Sequence, residues 1–257
     1  MDYSPIVSKA VSSLWWLAVL GLVIGFFKTP YFKGLIGEAL VSLAAWLRLD
    51  KYQYWALHNV TIPTRDGTTQ IDHIFVSTFG VFVVETKNYK VWIFGGEHQP
   101  TWTQKIYKQS FKFQNPLRQN YLHTQTLQDR LGIGPEAIHS VIVFVGDCEF
   151  KTLMPPNVCI GGAFVGYIKS KQVPVLPKEQ MKQAYAAIQA GRLTPSLATS
   201  RQHRQHVQQK SAIDTPRLCP KCGSPMVERV AKSGARVGNP FWGCYRFPAC
   251  RTVQTRG

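Results

Sequence analysis

Four cysteines crowd the last 40 residues of the chain, spaced Cys219-x2-Cys222-x21-Cys244-x5-Cys250. Two pairs of thiolates at knuckle spacing suit a tetrahedral site for structural Zn²⁺. A segment this short cannot bury enough apolar surface to fold alone, so a metal must stand in for a core. Cys148 and Cys159 stand apart and read as buried thiols. Such usage fits a reducing compartment rather than a disulfide framework.

The net charge of +16 is unevenly spread. Residues 1–198 carry 19 Lys+Arg against 12 Asp+Glu, and residues 199–257 carry 11 against 2. A tail this basic favours a polyanionic partner, nucleic acid or an anionic membrane face. Residues 199–216 are polar and nearly free of core formers, and they read as a linker. His203 and His206 lie in it, without a cysteine or carboxylate at ligand spacing.

From Ala10 to Phe27 no residue is charged, and Lys9 and Lys28 bracket the run. Its 18 residues would span about 27 Å as a helix, close to a hydrocarbon core of ~30 Å. Trp15 and Trp16 suit an interface. A signal peptide fits less well, because the segment before the run is barely basic and no small-x-small cleavage site follows it. Lys28, Lys33, Arg48 and Lys51 follow the run, while Lys9 alone precedes it. The bulk of the chain is therefore expected on the cytoplasmic side of an inner membrane, crossed once.

Between anchor and linker the pattern is α/β. Gly34–Leu49 reads as a helix, with Leu35, Ala39, Leu43 and Trp46 at three- and four-residue spacing. Strands are expected at Tyr54–Ile62, Thr69–Thr78 and Val81–Asn88, with turns at Arg65-Asp66-Gly67 and near Thr78-Phe79-Gly80. Lys112–Leu131 reads as a helix starting near Pro116, with Leu117, Tyr121, Leu127 and Leu131 inward. His139–Val145 reads as a buried strand, Val158–Ile168 as a weaker one, and Lys178–Ala190 as a short helix. The order is α-β-β-β-α-β, then mixed elements.

Asp72, Glu85 and Lys87 interrupt these apolar strands. Strand side chains alternate, so Glu85 and Lys87 share a face and Thr86 points the other way. A hairpin turning near residue 79 brings Asp72 close to Glu85. Two converging carboxylates need a cation between them, and Mg²⁺ or Mn²⁺ with oxygen ligands suits them. The Thr86 carbonyl could add a third oxygen. Bound metal would activate water, and Lys87 would offset charge on a phosphoryl group. His73 faces away from this group and reads as a packing residue. Gln104 and Lys105 are candidates for phosphate contact.

These segments resemble the nuclease-related domain (NERD) family of the PD-(D/E)xK nuclease superfamily over roughly residues 33–147. The resemblance rests on Gly37-Glu38, on Gly67 to His73, on Val84 to Tyr89, on Trp102, and on Asn115-Pro116-Leu117-Arg118-Gln119-Asn120. It implies a mixed sheet flanked by helices. It also implies a catalytic set of Glu38, Asp72, Glu85 and Lys87, with Gln119 nearby on a helix.

The tail, CPKCGSPMVERVAKSG followed by NPFWGCYRFPACR, resembles the four-cysteine zinc ribbon of bacterial type I DNA topoisomerases. That resemblance implies binding of single-stranded DNA. Trp242 and Tyr245 are expected to stack on bases, and Arg246 and Arg251 to meet phosphates. The expected organisation is an anchor over 1–32, a nuclease-like domain over 33–198, the linker, and a ribbon over 217–257. The expected function is a membrane-anchored, metal-dependent DNA nuclease, with a non-catalytic DNA tether as the alternative.

Overall fold

A computed structural model describes residues 4–27, 29–64, 67–194, 219–222, 226–230, 240–244 and 246–255. The chain divides into two compact units, Met1–Thr199 and Ser200–Gly257.

The first unit begins with α1 (Ser4–Phe27) and α2 (Pro30–Arg48). Thr29 caps α2: its Oγ1 accepts from the Phe32 amide, and Pro30 fills the first helical position. Among the described residues no single helix is long and apolar enough to cross a membrane. Trp15–Phe27 and Tyr31–Arg48, bent by 58°, meet that test only together. The expected span over residues 10–27 is thus described only in part, its side chains before Trp15 lying outside the described residues.

Three antiparallel strands follow: β1 (Trp55–Thr64), β2 (Gly67–Ser77) and β3 (Gly80–Asn88). Ser77 pairs with Gly80, so Thr78-Phe79 is a two-residue turn. Gly80 has φ +120°, and a Cβ there would also press on the Ala137 carbonyl and the His139 ring. The expected Arg65–Gly67 turn lies mainly outside the described residues, although Thr64 pairs with Gly67 across it.

Residues 91–114 form three further strands that periodicity did not expose: β4 (Val91–Phe94), β5 (Thr101–Ile106) and β6 (Gln109–Gln114). Then come α3 (Pro116–Leu131), β7 (Ile138–Val145), β8 (Cys148–Phe150), β9 (Val158–Ile160), α4 (Ala163–Ser170) and α5 (Lys178–Gly191). The main sheet has the order β1-β2-β3-β7-β9, with β7 parallel to both β3 and β9. A second sheet has the order β6-β5-β4-β8. The strand expected over Val158–Ile168 is therefore a three-residue strand followed by a helix. Phe164, Val165 and Ile168 fit either period in so short a run.

Apolar layers cover both faces of the main sheet. On one, Phe82, Val84, Val141 and Val143 meet α2 and α4. On the other, Val81, Val83, Ile74 and Val76 meet Leu127 of α3 and Met181 and Ile188 of α5. This explains the unbroken apolar text of β3 and β7, strands buried on both sides. Trp102 stacks on Phe144 at 6.0 Å and joins the second sheet to the first. Gly95 makes room for it, since a Cβ there would collide with the Trp102 ring.

Two helix faces differ from expectation. On α3, Leu127 is buried, but Tyr121 points outward and the inward face carries Asn120, His123 and Thr124. On α2 the stripe Leu35, Ala39, Leu43, Trp46 is the exposed one. The face packed on the sheet is Gly37, Val41, Ala45 and Leu49.

The second unit carries a three-stranded antiparallel sheet of β10 (Met226–Val230), β11 (Pro240–Cys244) and β12 (Val253–Thr255).

Candidate functional site

Antiparallel pairing of β2 with β3 runs from Ser77↔Gly80 to His73↔Val84. One step further the register sets Asp72 against Glu85. There the ladder gives way, and the Thr86 amide donates to Asp72 Oδ2 at 2.8 Å, a side chain in place of a strand carbonyl. On β1, Asn59 lies opposite this step in the left-handed region, φ 50°, between the pairs His58↔His73 and Val60↔Ile71. The acidic residues thus stand at a fork in the sheet.

Side-chain alternation holds along β3. Thr86 faces α2, where a Cβ on Gly37 would lie 3.4 Å from its Cγ2. Glu85 and Lys87 face α3. Lys87 Nζ donates to Glu85 Oε1 at 2.6 Å and to Gln119 Oε1 at 2.8 Å, and Gln119 Nε2 donates to Glu85 Oε1 at 2.7 Å. The Gln119 amide therefore bridges acid and base. Asn115 and Asn120 place this helix. Asn115 Oδ1 accepts from the Leu117 amide as an N-cap, while its Nδ2 donates to the Gln99 carbonyl. Asn120 Nδ2 donates to the Val83 carbonyl and to Ser140 Oγ, tying α3 to β3 and β7.

The electrostatics are those of crowded acids with one cation. Burial pushes the Asp72 carboxyl well up, and Glu85 and Glu38 add to the shift. Burial raises Glu38 as well, with a further push from Glu85, while Asn59 bonds to it and partly offsets both. Burial would raise Glu85 too, but the Lys87 ammonium and the His123 ring hold it down, to about 2. Burial works against the Lys87 ammonium, yet Glu85 beside it keeps its pKa above the usual lysine value. Glu85 Oε2 accepts no hydrogen bond, although His123 Nε2 lies 3.4 Å away.

Glu38, Asp72, Glu85, Lys87 and Gln119 are therefore brought to one place by α2, β2, β3 and α3. Their carboxylates do not close into a cage. Among the described residues only the cysteines bring three or more metal-ligand atoms within 4.8 Å of one another. Like charges hold each other off, and Glu85 turns to Lys87. By residue type Glu38, Asp72 and Glu85 could hold a hard divalent cation, and Glu85 Oε2 is a buried oxygen with no donor.

Two residues here escaped sequence reasoning. His123 lies four residues after Gln119, hence on the same helix face, and that spacing was its signal. Its Nδ1 is 2.7 Å from Thr69 Oγ1. Asn59 left no trace in the pattern. Gln104, a phosphate candidate, is buried and donates to the Lys90 carbonyl at 2.9 Å, so its role is structural. His73 is 1% exposed, with Nδ1 2.8 Å from that of His58. Burial lowers its pKa to about 3, consistent with a neutral packing residue.

In the second unit Cys219 Sγ lies 3.7 Å from Cys250 Sγ, and Cys222 Sγ lies 3.5 Å from Cys244 Sγ. These separations are far too long for disulfides of ~2.05 Å. They match the edge of a tetrahedron with Zn–S near 2.3 Å, so the four thiols fit structural Zn²⁺. Burial disfavours the Cys219 thiolate, but the Thr252 hydroxyl and nearby amides hold its pKa down, to about 6. Burial and neighbouring thiols push Cys244 up to about 12. Four thiolates at this spacing require a cation. Trp242 is half-buried beside the cluster, whereas Arg246 and Arg251 are exposed. Tyr245 lies outside the described residues. Phe247 is exposed, with the Arg229 guanidinium 5.6 Å from its ring centre.

Comparison with known families agrees with both halves. Residues 33–145 match the nuclease-related domain, and residues 216–255 match the topoisomerase DNA binding C4 zinc finger. Over 100 residues the chain is 50% identical to an uncharacterized protein of Bacillus anthracis, a stretch covering 38% of this chain and 47% of that one. The chain thus spans about half the length of this curated relative. No solved structure matches.

Proposed function

We propose that this protein is a membrane-anchored, divalent-metal-dependent nuclease that hydrolyses DNA phosphodiesters and holds its substrate with the zinc ribbon. The observation that carries the reading is the Glu85–Lys87–Gln119 network beside Asp72, in a domain of nuclease-related sequence joined to a DNA-binding type of zinc finger. The fold is read as PD-(D/E)xK-like: α2, β1 to β3, α3 and β7 follow the order α-β-β-β-α-β. The organisation is read as anchor 1–32, nuclease domain 33–198, linker 199–216 and ribbon 217–257. The anchor places the domain at the cytoplasmic face of an inner membrane.

Asp72 and Glu85 would hold Mg²⁺ or Mn²⁺, with Glu38 completing the acidic set. When bound, the metal supplies charge to a phosphoryl oxygen and lowers the pKa of water. Lys87 is charged at neutral pH and presents its ammonium where a phosphodiester would meet the acids. Gln119 fixes Lys87 and Glu85 relative to each other, so neither has to reorganise when charge develops. In the ribbon, Phe247 and Trp242 offer ring faces for unstacked bases, and Arg229, Arg246 and Arg251 offer charge to the backbone. Tyr245 completes that set on sequence grounds.

The test is cleavage of labelled single- and double-stranded DNA by the full chain in detergent, with Mg²⁺ or Mn²⁺. Asp72→Asn and Lys87→Ala should each reduce cleavage by roughly 100-fold or more, leaving DNA binding intact. Cleavage that persists in both variants excludes these residues. Binding without cleavage in the native chain favours a DNA tether.

A further inference from the structure

Helix α2 has two apolar sides, and among the described residues only one of them is buried. Its inner side, Gly37, Val41, Ala45 and Leu49, is buried against the main sheet. A Cβ at Gly37 would sit 2.8 Å from Val145 Cγ2, so the helix axis is held close to the strands. On the outer side Ile36, Leu40, Leu43, Trp46 and Leu47 are all exposed, Trp46 by 75%. A helix with apolar residues on two opposite sides has both to cover. Soluble surfaces rarely leave so continuous a stripe uncovered.

What covers it is indicated by what precedes it. Every described residue from Trp15 to Phe27 is apolar, and those whose burial is described are exposed. The two helices are clipped together at their junction. Phe32 of α2 packs on Phe27 at 4.5 Å and on Phe26 at 5.5 Å between ring centres. Thr29 Oγ1 donates to the Phe26 carbonyl at 2.7 Å while capping α2. The outer stripe of α2 therefore begins nine residues after the end of α1, and ring contacts and a hydrogen bond join the two helices where they meet. A bilayer that takes up α1 already reaches it.

The borders have matching chemistry. Tyr31, Trp46 and Tyr52 are exposed aromatics of the kind that settle at headgroup depth. Lys33, Arg48 and Lys51 offer cationic charge to anionic headgroups. Between α2 and α4 lies a hollow of about 370 Å³ lined by Leu40, Leu43, Leu47 and Phe164, open to an acyl segment.

We infer that the outer face of α2 is a second membrane-contact surface, lying in the headgroup–acyl boundary of an anionic bilayer and fixing the orientation of the nuclease-like domain. The inference rests on the anchor reading above and goes beyond it, because an anchor alone leaves the domain free to tumble. Glu38 stands on the inner side of the same helix, about 12 Å of rise from its start. The acidic site then faces away from lipid, at a standoff set by one helix thickness.

The test uses the full chain in phosphatidylcholine–phosphatidylglycerol vesicles carrying lipids brominated at defined depths. The chain has seven tryptophans, so the difference in emission between native protein and Trp46→Phe isolates Trp46. The expected result is a blue-shifted difference emission, quenched best by bromines about 5–10 Å below the headgroups. Alkaline carbonate extraction of the same vesicles tests α1 separately. A chain that resists extraction but whose Trp46 emission is unquenched overturns this inference and leaves the anchor. A chain released by carbonate overturns the anchor reading. A dimer in detergent that buries Trp46 and persists unquenched in vesicles assigns the face to a second copy and also overturns the inference.

Discussion

The protein holds two clusters of metal-type ligands, and they are built in opposite ways. The four cysteines stand at tetrahedral spacing, and among the described residues three of the four buried side chains of their cluster are cysteines. The acids of the first unit sit at the margin of a complete three-layer core, and their charge is already balanced in part by Lys87. One cluster is a condition of folding. The other is a load that a folded scaffold carries, and on the proposed reading this difference separates a structural site from a site open to substrate.

The comparison is tested most severely by removing the metal. Stripping zinc with a chelator, or replacing Cys244 with Ser, should unfold the second unit outright. The binding free energy lost is on the order of 10–16 kcal/mol, which exceeds any stability a segment this small has otherwise. Hydrogen exchange should show protection lost over β10 to β12 and kept in β3 and β7. If the ribbon strands stay protected, they have a core of their own and the contrast fails.

A smaller effect is expected from Lys87→Ala. It leaves Glu85, 4% exposed, without its ammonium, and breaking a buried pair costs about 3–5 kcal/mol. The pH dependence has a definite sign. The folded pKa of Glu85 is depressed to about 2, so the stability it contributes is present above the unfolded value and is lost as pH falls through the folded one. Melting curves of native and variant chains should therefore differ most above about pH 4.5 and converge towards pH 2. A gap that does not narrow means the loss comes from packing.

The smallest effect runs the other way. Asp72 has a raised pKa, so its stabilising contribution is complete at low pH and is lost as pH rises through the folded value. At neutral pH without metal, Asp72→Asn should melt a few degrees higher than the native chain. Millimolar Mg²⁺ or Mn²⁺ should raise the native melting temperature and leave the variant unmoved. A variant less stable than native at pH 7.5 would show that the Thr86–Asp72 bond outweighs the repulsion.

Legibility followed the length of the apolar signal. β3 and β7 were readable because runs buried on both sides have unbroken apolar text, β2 because its polarity alternates, and α3 because Pro116 marks its start. β4 to β6 were not, because strands of four to six residues with mixed polarity give no period to count. The stripe that marked α2 as a helix was genuine but was the wrong face for packing. The packed face uses Gly37 and Ala45, whose small side chains carry little hydropathy. At the site, Asp72, Glu85 and Lys87 stood out as charges within apolar strands. His123 and Asn59 did not, because their meaning comes from a neighbouring helix and a sheet distortion.

The hairpin at Thr78-Phe79 has a phase as well as a shape. Twelve residues lie between Asp72 and Glu85, and the corner lies midway among them. A slip of β3 by one residue against β2 at this corner would keep the strands paired but turn every side chain of β3 to the opposite face. Thr86 would then look towards Gln119, and the acid–lysine pair towards α2. Every strand could survive such a slip while the proposed site came apart, so a two-residue corner sets the parity on which the arrangement of Asp72, Glu85 and Lys87 depends.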